Sequence, residues 1–137
     1  MSDATNYTEE QIINWMSQGV APDTPPDPLY VSLHTADPGE TLDGSTEVGA
    51  SEYNRQSVGS SGWETYTSGD ASGFRNLNDI QFPEATSSWG TISHVAIWDG
   101  SANTDNALAS YGLSVSKSID DGDQAVFTAQ GLTFETD

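Results

Sequence analysis

The chain has 137 residues, a length that fits one domain able to bury a hydrophobic core. Hydrophobic residues make up 34%, and small polar residues and glycine are abundant, a mixture typical of short strands joined by tight turns. There are 21 acidic residues against three basic ones, and the net charge of −18 would repel nucleic acid phosphates and anionic lipids. We therefore expect neither nucleic acid nor a membrane as a direct partner.

The acidic residues are spread along the whole chain rather than collected in a tail. They are compatible with an ordinary acidic surface or with adaptation to molar salt. At 1 M salt the Debye length is roughly 3 Å, so like charges on the surface are screened from one another. The single lysine, Lys117, favours salt adaptation. The chain has no cysteine, which excludes disulfides and thiolate metal sites.

A helix is predicted over residues 8–18, with Thr8 as its N-cap and Gly19 as its end. Its apolar residues form one stripe, which packs either on the domain's own sheet or on a neighbouring subunit. Because a terminal helix is easily donated to a neighbour, we expect this stripe to be the oligomer or docking interface. Its members are Ile12, Ile13, Trp15 and Met16.

Four prolines follow the helix between positions 22 and 28 and predict an extended linker. The sequence thus divides into an N-terminal helix and linker over residues 1–28 and a β-sandwich domain over residues 29–137. We expect residues 39–79 to consist mainly of long surface loops, including a polar loop over residues 60–73.

Strands are predicted from alternating apolar residues bounded by turn signals. The segment 91–98 is apolar on both faces toward its end, which predicts a central strand. Within it, Ile92 is expected on the same face as Ala96 and Trp98. Pro83 is expected to end a short strand. The predicted strands cover residues 29–35, 52–58, 63–67, 79–82, 91–98, 107–115, 124–129 and 131–135. This pattern predicts a mainly β fold, an antiparallel β-sandwich or jelly roll with one short N-terminal helix.

Catalytic chemistry has little support in the residues. His34 and His94 are the two candidate imidazole bases, and each lies in a predicted strand without a nucleophile motif. The acidic turn at residues 120–123 lacks EF-hand spacing, so a solvated turn is favoured over a weak cation site. The four tryptophans fit core packing or subunit contacts better than sugar stacking. We predict no enzyme activity, no catalytic or metal-binding residue and no cofactor.

Three stretches of the sequence, in this order and spacing, carry a resemblance to a known family. They are residues 29–40 with 47–49 and 53–55, residues 80–86 with 89–99, and residues 108–113 with Lys117, 121–123 and Phe127. The sequence resembles a family of small tailed-phage virion proteins, usually described as tail fibre or minor structural proteins. The resemblance covers residues 8–137.

This resemblance implies a non-enzymatic structural protein in the virion, a symmetric homo-oligomer bound to other virion proteins of the capsid or tail. It could serve as capsid decoration, as a turret or as a tail fibre. Together with the acidity, it suggests a virus of halophilic archaea. Two alternatives stay open: a carbohydrate-binding module for host attachment, with Trp63 stacking on sugar, and a glycosidase that degrades host surface layers.

Overall fold

The computed structural model describes residues 2–42 and 44–136 and contains one helix and ten strands within them. Their bounds are β1 Ser2–Ala4, α1 Asn6–Gln18, β2 Leu29–His34, β3 Gln56–Val58, β4 Trp63–Ser68, β5 Ala71–Asn76, β6 Ile80–Glu84, β7 Gly90–Trp98, β8 Ala107–Ile119, β9 Gln124–Phe127 and β10 Thr133–Thr136. The predicted fold class is confirmed, since the chain is mostly β with antiparallel sheets and one short N-terminal helix.

The strands form three sheets around one core. A five-stranded sheet has the order β1-β8-β7-β2-β3, a three-stranded sheet the order β10-β5-β4, and β6 pairs with β9. Every described pairing is antiparallel, and β7 is the central strand that its apolar pattern predicted. Each sheet contributes buried side chains to the shared core, among them Leu33, Val95, Ile97, Phe82 and Phe134.

Two details of the predicted strands were wrong, each because of an irregularity in a strand pairing. The pairing of β7 with β8 shifts between Ile92 and His94, which places Ile92 in the main core with Val95 rather than beside Trp98. Strand β6 continues through Pro83 to Glu84 because Pro83 lies where the pairing with β9 shifts. A proline at such an irregularity interrupts no regular ladder hydrogen bond.

Residues 60–73 were expected to be a polar loop apart from the predicted strand at 63–67, but they contain most of a β-hairpin. After a short 3-10 turn at Ser60–Gly62, β4 and β5 pair from Trp63↔Asn76 to Ser68↔Ala71. Strand β5 also pairs with β10, so β5 is the central strand of the three-stranded sheet. The predicted division at residue 28 is not tested by these contacts and stays a prediction.

On the opposite face of β7, Trp98 and Ala96 belong to a smaller apolar cluster. Arg55 packs over this cluster and forms hydrogen bonds with the neighbouring loops. The guanidinium lies 3.6 Å from the centre of the Trp98 ring. It donates to both carboxylate oxygens of Glu47, at 3.0 and 2.8 Å, and to the backbone oxygens of Gly100 and Ala102, at 3.1 and 3.0 Å. This buried arginine therefore joins three separate parts of the chain.

His34 lies beside the same cluster in a buried chain of hydrogen bonds. The Trp98 indole donates to Ser32 Oγ at 2.8 Å, Ser32 Oγ lies 2.7 Å from His34 Nε2, and His34 Nδ1 lies 2.8 Å from Thr46 Oγ1. Because burial disfavours the charged imidazole, the pKa of His34 is lowered to about 4. The histidine is fully enclosed and acts as a structural residue of the sheet.

We expect this histidine to make folding pH-dependent. The folded-state pKa of about 4 lies below the ordinary value of 6.5, so the unfolded chain binds the proton more readily between these values. The stabilisation is complete above pH 6.5 and is lost as the pH falls toward 4, by up to about 3 kcal/mol. Urea unfolding across this range in molar salt should show a shallower pH slope for His34→Gln than for the parent. Equal slopes in the parent and the variant would contradict this role.

Candidate docking surface

Helix α1 begins at Asn6, two residues earlier than predicted, because Thr5 rather than Thr8 is the N-cap. The Thr5 hydroxyl oxygen accepts a hydrogen bond from the Thr8 backbone N–H at 3.4 Å, and Glu9 lies in the first turn, where the helix dipole favours an anion. Gly19 ends the helix as predicted, in the left-handed conformation with φ +66°, and its N–H donates to Asn14 O.

The first turn of α1 is fixed to the domain, whereas the rest of the helix has no buried residue. Strand β1 pairs with β8, and two threonine hydroxyls donate to carbonyls of that same strand. Thr5 Oγ1 donates to Ala107 O at 2.6 Å, and Thr8 Oγ1 donates to Leu108 O at 2.7 Å. The side chains of the later turns therefore stay available to a partner.

The predicted stripe is exposed. The relative exposures are 45% for Ile12, 56% for Ile13, 57% for Trp15 and 69% for Met16, so the interpretation that the stripe packs on the domain's own sheet is wrong. Val20, just past the helix, is also 53% exposed and extends this surface. Sequence reasoning missed Val20 because it lies beyond Gly19, although it follows Met16 at helical spacing. We call these five residues the helix stripe.

Beside the helix stripe lies an apolar groove of about 570 Å³, bounded by α1, the proline linker and strands of two sheets. Its surface is formed largely by apolar side chains, including Ile12, Pro22, Pro26, Leu29, Phe74 and Leu108. Ile12 belongs to both the groove and the helix stripe, so the two form one continuous apolar surface. We call this feature the linker groove.

The proline linker, which forms one side of the groove, is hydrogen-bonded to helix α1 through Asp23. Its carboxylate accepts from Tyr7 Oη at 2.5 Å and from Gln11 Nε2 at 3.3 Å, and its backbone N–H donates to Gln11 Oε1 at 3.0 Å. The hydrogen bond to Asp23 raises the pKa of the Tyr7 hydroxyl to about 12, so this group remains a donor at neutral pH. The groove therefore has a defined wall before any partner binds.

The helix stripe is an uncharged surface on an acidic chain. None of the 21 acidic residues falls between Gln11 and Pro22. Two of the three basic residues form ion pairs, Arg55 with Glu47 and Arg75 with Glu64. The stripe therefore offers contact by apolar burial, whereas the surrounding body is strongly negative.

The other candidate residues lie in structural positions. Trp89 and Trp98 are buried, and Trp63 packs edge-on against Phe74 with its indole donating to Val58 O at 3.3 Å. In the predicted acidic turn, Asp123 Oδ2 accepts from the Asp120 backbone N–H at 2.9 Å. Among the described residues, no group of three or more His, Asp or Glu side chains is arranged to hold a metal ion. No helix in this part of the chain is both long and apolar enough to cross a membrane.

Comparison with known families places the chain among virion proteins. A family model from tailed phages matches residues 3–135, nearly the whole sequence. The protein is therefore a structural component of the virion of a tailed phage, as the resemblance of the sequence predicted. The model is described as Podophage GP4 fiber I protein gp80, and the chain belongs to this family. No curated protein matches the sequence.

Proposed function

We propose that the protein is a non-enzymatic subunit of a tail fibre that assembles as a symmetric homo-oligomer through the helix stripe. The observation that carries the proposal is the exposure of Ile12, Ile13, Trp15 and Met16 on a helix whose first turn is fixed to the body. Contiguous exposed apolar side chains mark interaction sites in soluble proteins, and a virion component must bind other virion proteins.

The fibre position is supported by the description of the family, which names a fibre protein. Capsid decoration and a turret are the competing positions. Labelling the protein in intact particles, or locating it in an electron cryomicroscopy map, distinguishes them. Density for this fold at the tail supports the fibre assignment, whereas density on the capsid lattice assigns the protein to the head.

A non-enzymatic role agrees with the positions of the two histidines. His34 is fully buried and hydrogen-bonded on both ring nitrogens, so it has no access to a substrate. His94 lies on the central strand β7, and its Nδ1 is hydrogen-bonded to the hydroxyl oxygen of the neighbouring Ser93 at 2.9 Å. Neither histidine faces the linker groove.

We further propose that the virus infects a halophilic archaeon. The net charge of −18 and the presence of only three basic residues support this proposal, because molar salt screens the repulsion that such a surface creates. The same acidic surface keeps the body of the protein hydrated, while the apolar helix stripe contacts the neighbouring subunit.

Polar substitutions in the helix stripe should dissociate the oligomer without unfolding the subunit. We expect Ile13→Ser combined with Met16→Ser to raise the dissociation constant at least tenfold, because both side chains are more than half exposed in the single chain. Light scattering after size-exclusion chromatography in molar salt measures the change. Val115→Ser is the matched control, since Val115 is 67% exposed but lies on β8 outside the stripe. Equal effects of the two variants would contradict the docking role.

A further inference from the structure

We propose that the linker groove binds the helix stripe of a second copy of the chain, with Trp15 inserted as the central anchor. The inference rests on the proposed oligomer and adds the receptor for the stripe and the identity of its occupant.

The linker groove has the size and surface of a receptor for a large apolar side chain. Its volume of about 570 Å³ falls in the range of pockets that enclose small organic groups. Leu29, Phe74 and Leu108 contribute to its surface, and each is only partly buried by its own chain. Tryptophan is enriched among the residues that carry binding energy when they insert into such a pocket. Trp15 is 57% exposed and is the largest exposed apolar side chain on the helix.

The charge pattern favours a second copy over a basic partner as the occupant. A basic partner would be attracted to the acidic body and would gain nothing from the segment between Gln11 and Pro22, which has no acidic residue. Two copies with a net charge of −18 each repel one another wherever their acidic surfaces meet. They can approach closely through a surface without charge, and the helix stripe is such a surface on both copies.

The groove and the stripe also adjoin one another on each copy, and this arrangement suits a two-fold contact. In a two-fold interface the same surface of both subunits takes part. The helix stripe of each copy would therefore bind in the linker groove of the other copy. Ile12 links the two features and would lie near the axis. Two carboxylates line the groove, and hydrogen bonds offset the charge of each at the contact. Asp23 accepts from Tyr7 and Gln11, and Asp99 accepts from the backbone and side-chain amides of Asn106.

Because the chain has no cysteine, single introduced cysteines test the contact directly. Tagged Gln18→Cys protein, whose cysteine lies on the exposed end of α1 outside the helix stripe, is mixed in molar salt with untagged Thr24→Cys protein. The Thr24→Cys cysteine lies in the lining of the linker groove, and a short bismaleimide is added. We expect a cross-linked heterodimer in several-fold higher yield than from Gln18→Cys mixed with Ser116→Cys. Ser116 is an exposed residue of β8, eight positions from Leu108, which corresponds to roughly 26 Å along a strand. Adding Trp15→Ser to both partners should reduce the yield to that of this control.

The outcomes separate this inference from the proposed function. Equal yields from the Thr24→Cys and Ser116→Cys mixtures, in a sample that light scattering shows to be oligomeric, overturn the groove as receptor and leave the oligomeric role standing. A chain that remains monomeric at about 100 µM in molar salt overturns both. Circular dichroism of every variant shows whether it is folded, and a stripe variant that is folded but not cross-linked supports the inference.

Discussion

Replacing Arg55 with alanine is expected to lower the free energy of unfolding by about 3–5 kcal/mol. The guanidinium is buried and shares two hydrogen bonds with the buried carboxylate of Glu47. Its removal leaves that carboxylate without its cation and frees the carbonyl groups of Gly100 and Ala102. It also removes the cation from the face of Trp98, where the centre of the guanidinium lies 3.6 Å from the ring. An effect of this size is a large fraction of the stability of an ordinary domain.

Arg75 provides the matched control, because it forms the second ion pair of the described chain in a far more solvated setting. The side chains of Arg75 and Glu64 are 32% and 31% exposed, against 2% and 9% for Arg55 and Glu47. We expect Arg75→Ala to cost about 0.2–1 kcal/mol, since surface pairs contribute little. Urea unfolding in molar salt compares the two variants. A loss of the same size for both would show that Arg55 does not join the loops as the contacts indicate.

Arg55→Lys separates the charge of the side chain from its shape. Lysine keeps the positive charge but cannot present the planar fork that pairs with both oxygens of Glu47 and reaches Gly100 and Ala102 together. We therefore expect Arg55→Lys to recover only part of the stability lost in Arg55→Ala. Full recovery would mean that charge alone, rather than the hydrogen-bond geometry, stabilises this region.

The importance of Arg55 could not be predicted from the sequence, although the strands around it largely could. The strand at Leu29–His34 and the central strand at Gly90–Trp98 carry strong apolar patterns and turn residues at their ends. The partners of Arg55 lie 8 to 48 positions away along the chain, at Glu47 and near Asn103. Nothing local to position 55 indicates such contacts, because they arise only when the loops pack over Trp98.

Two strands were missed for a similar reason. Ser2–Ala4 has no apolar alternation and is a strand because it pairs with β8 more than a hundred positions later. Ala71–Asn76 is rich in small polar residues, and pairing with strands on both sides outweighs its weak propensity. Four of the five residues of the helix stripe, in contrast, could be identified from the sequence alone; Val20 could not. The exposure of the stripe could not be predicted, because whether a helix packs on its own sheet depends on how that helix is attached.

Lowering the salt concentration is expected to unfold the protein, and this is the second large effect. Two unit charges about 10 Å apart in water repel by about 0.4 kcal/mol before screening. Screening leaves roughly a third of this at 0.1 M salt and a few per cent at 1 M, where the Debye length is about 3 Å. With a net charge of −18 the chain has many such pairs, and folding brings them together. We therefore expect unfolding below a few hundred millimolar salt, measured by circular dichroism during dilution.

A charge-reduced variant distinguishes this electrostatic cause from a general effect of salt on apolar burial. Glu10, Glu40, Asp70, Glu84 and Asp121 are exposed, and replacing each with its amide raises the net charge from −18 to −13. We expect this variant to stay folded at a lower salt concentration than the parent, because fewer repelling pairs need screening, while both respond alike in molar salt. If the two proteins unfold at the same salt concentration, repulsion is not the cause. If the parent is equally stable in dilute and concentrated salt, its acidity is no adaptation to a saline host.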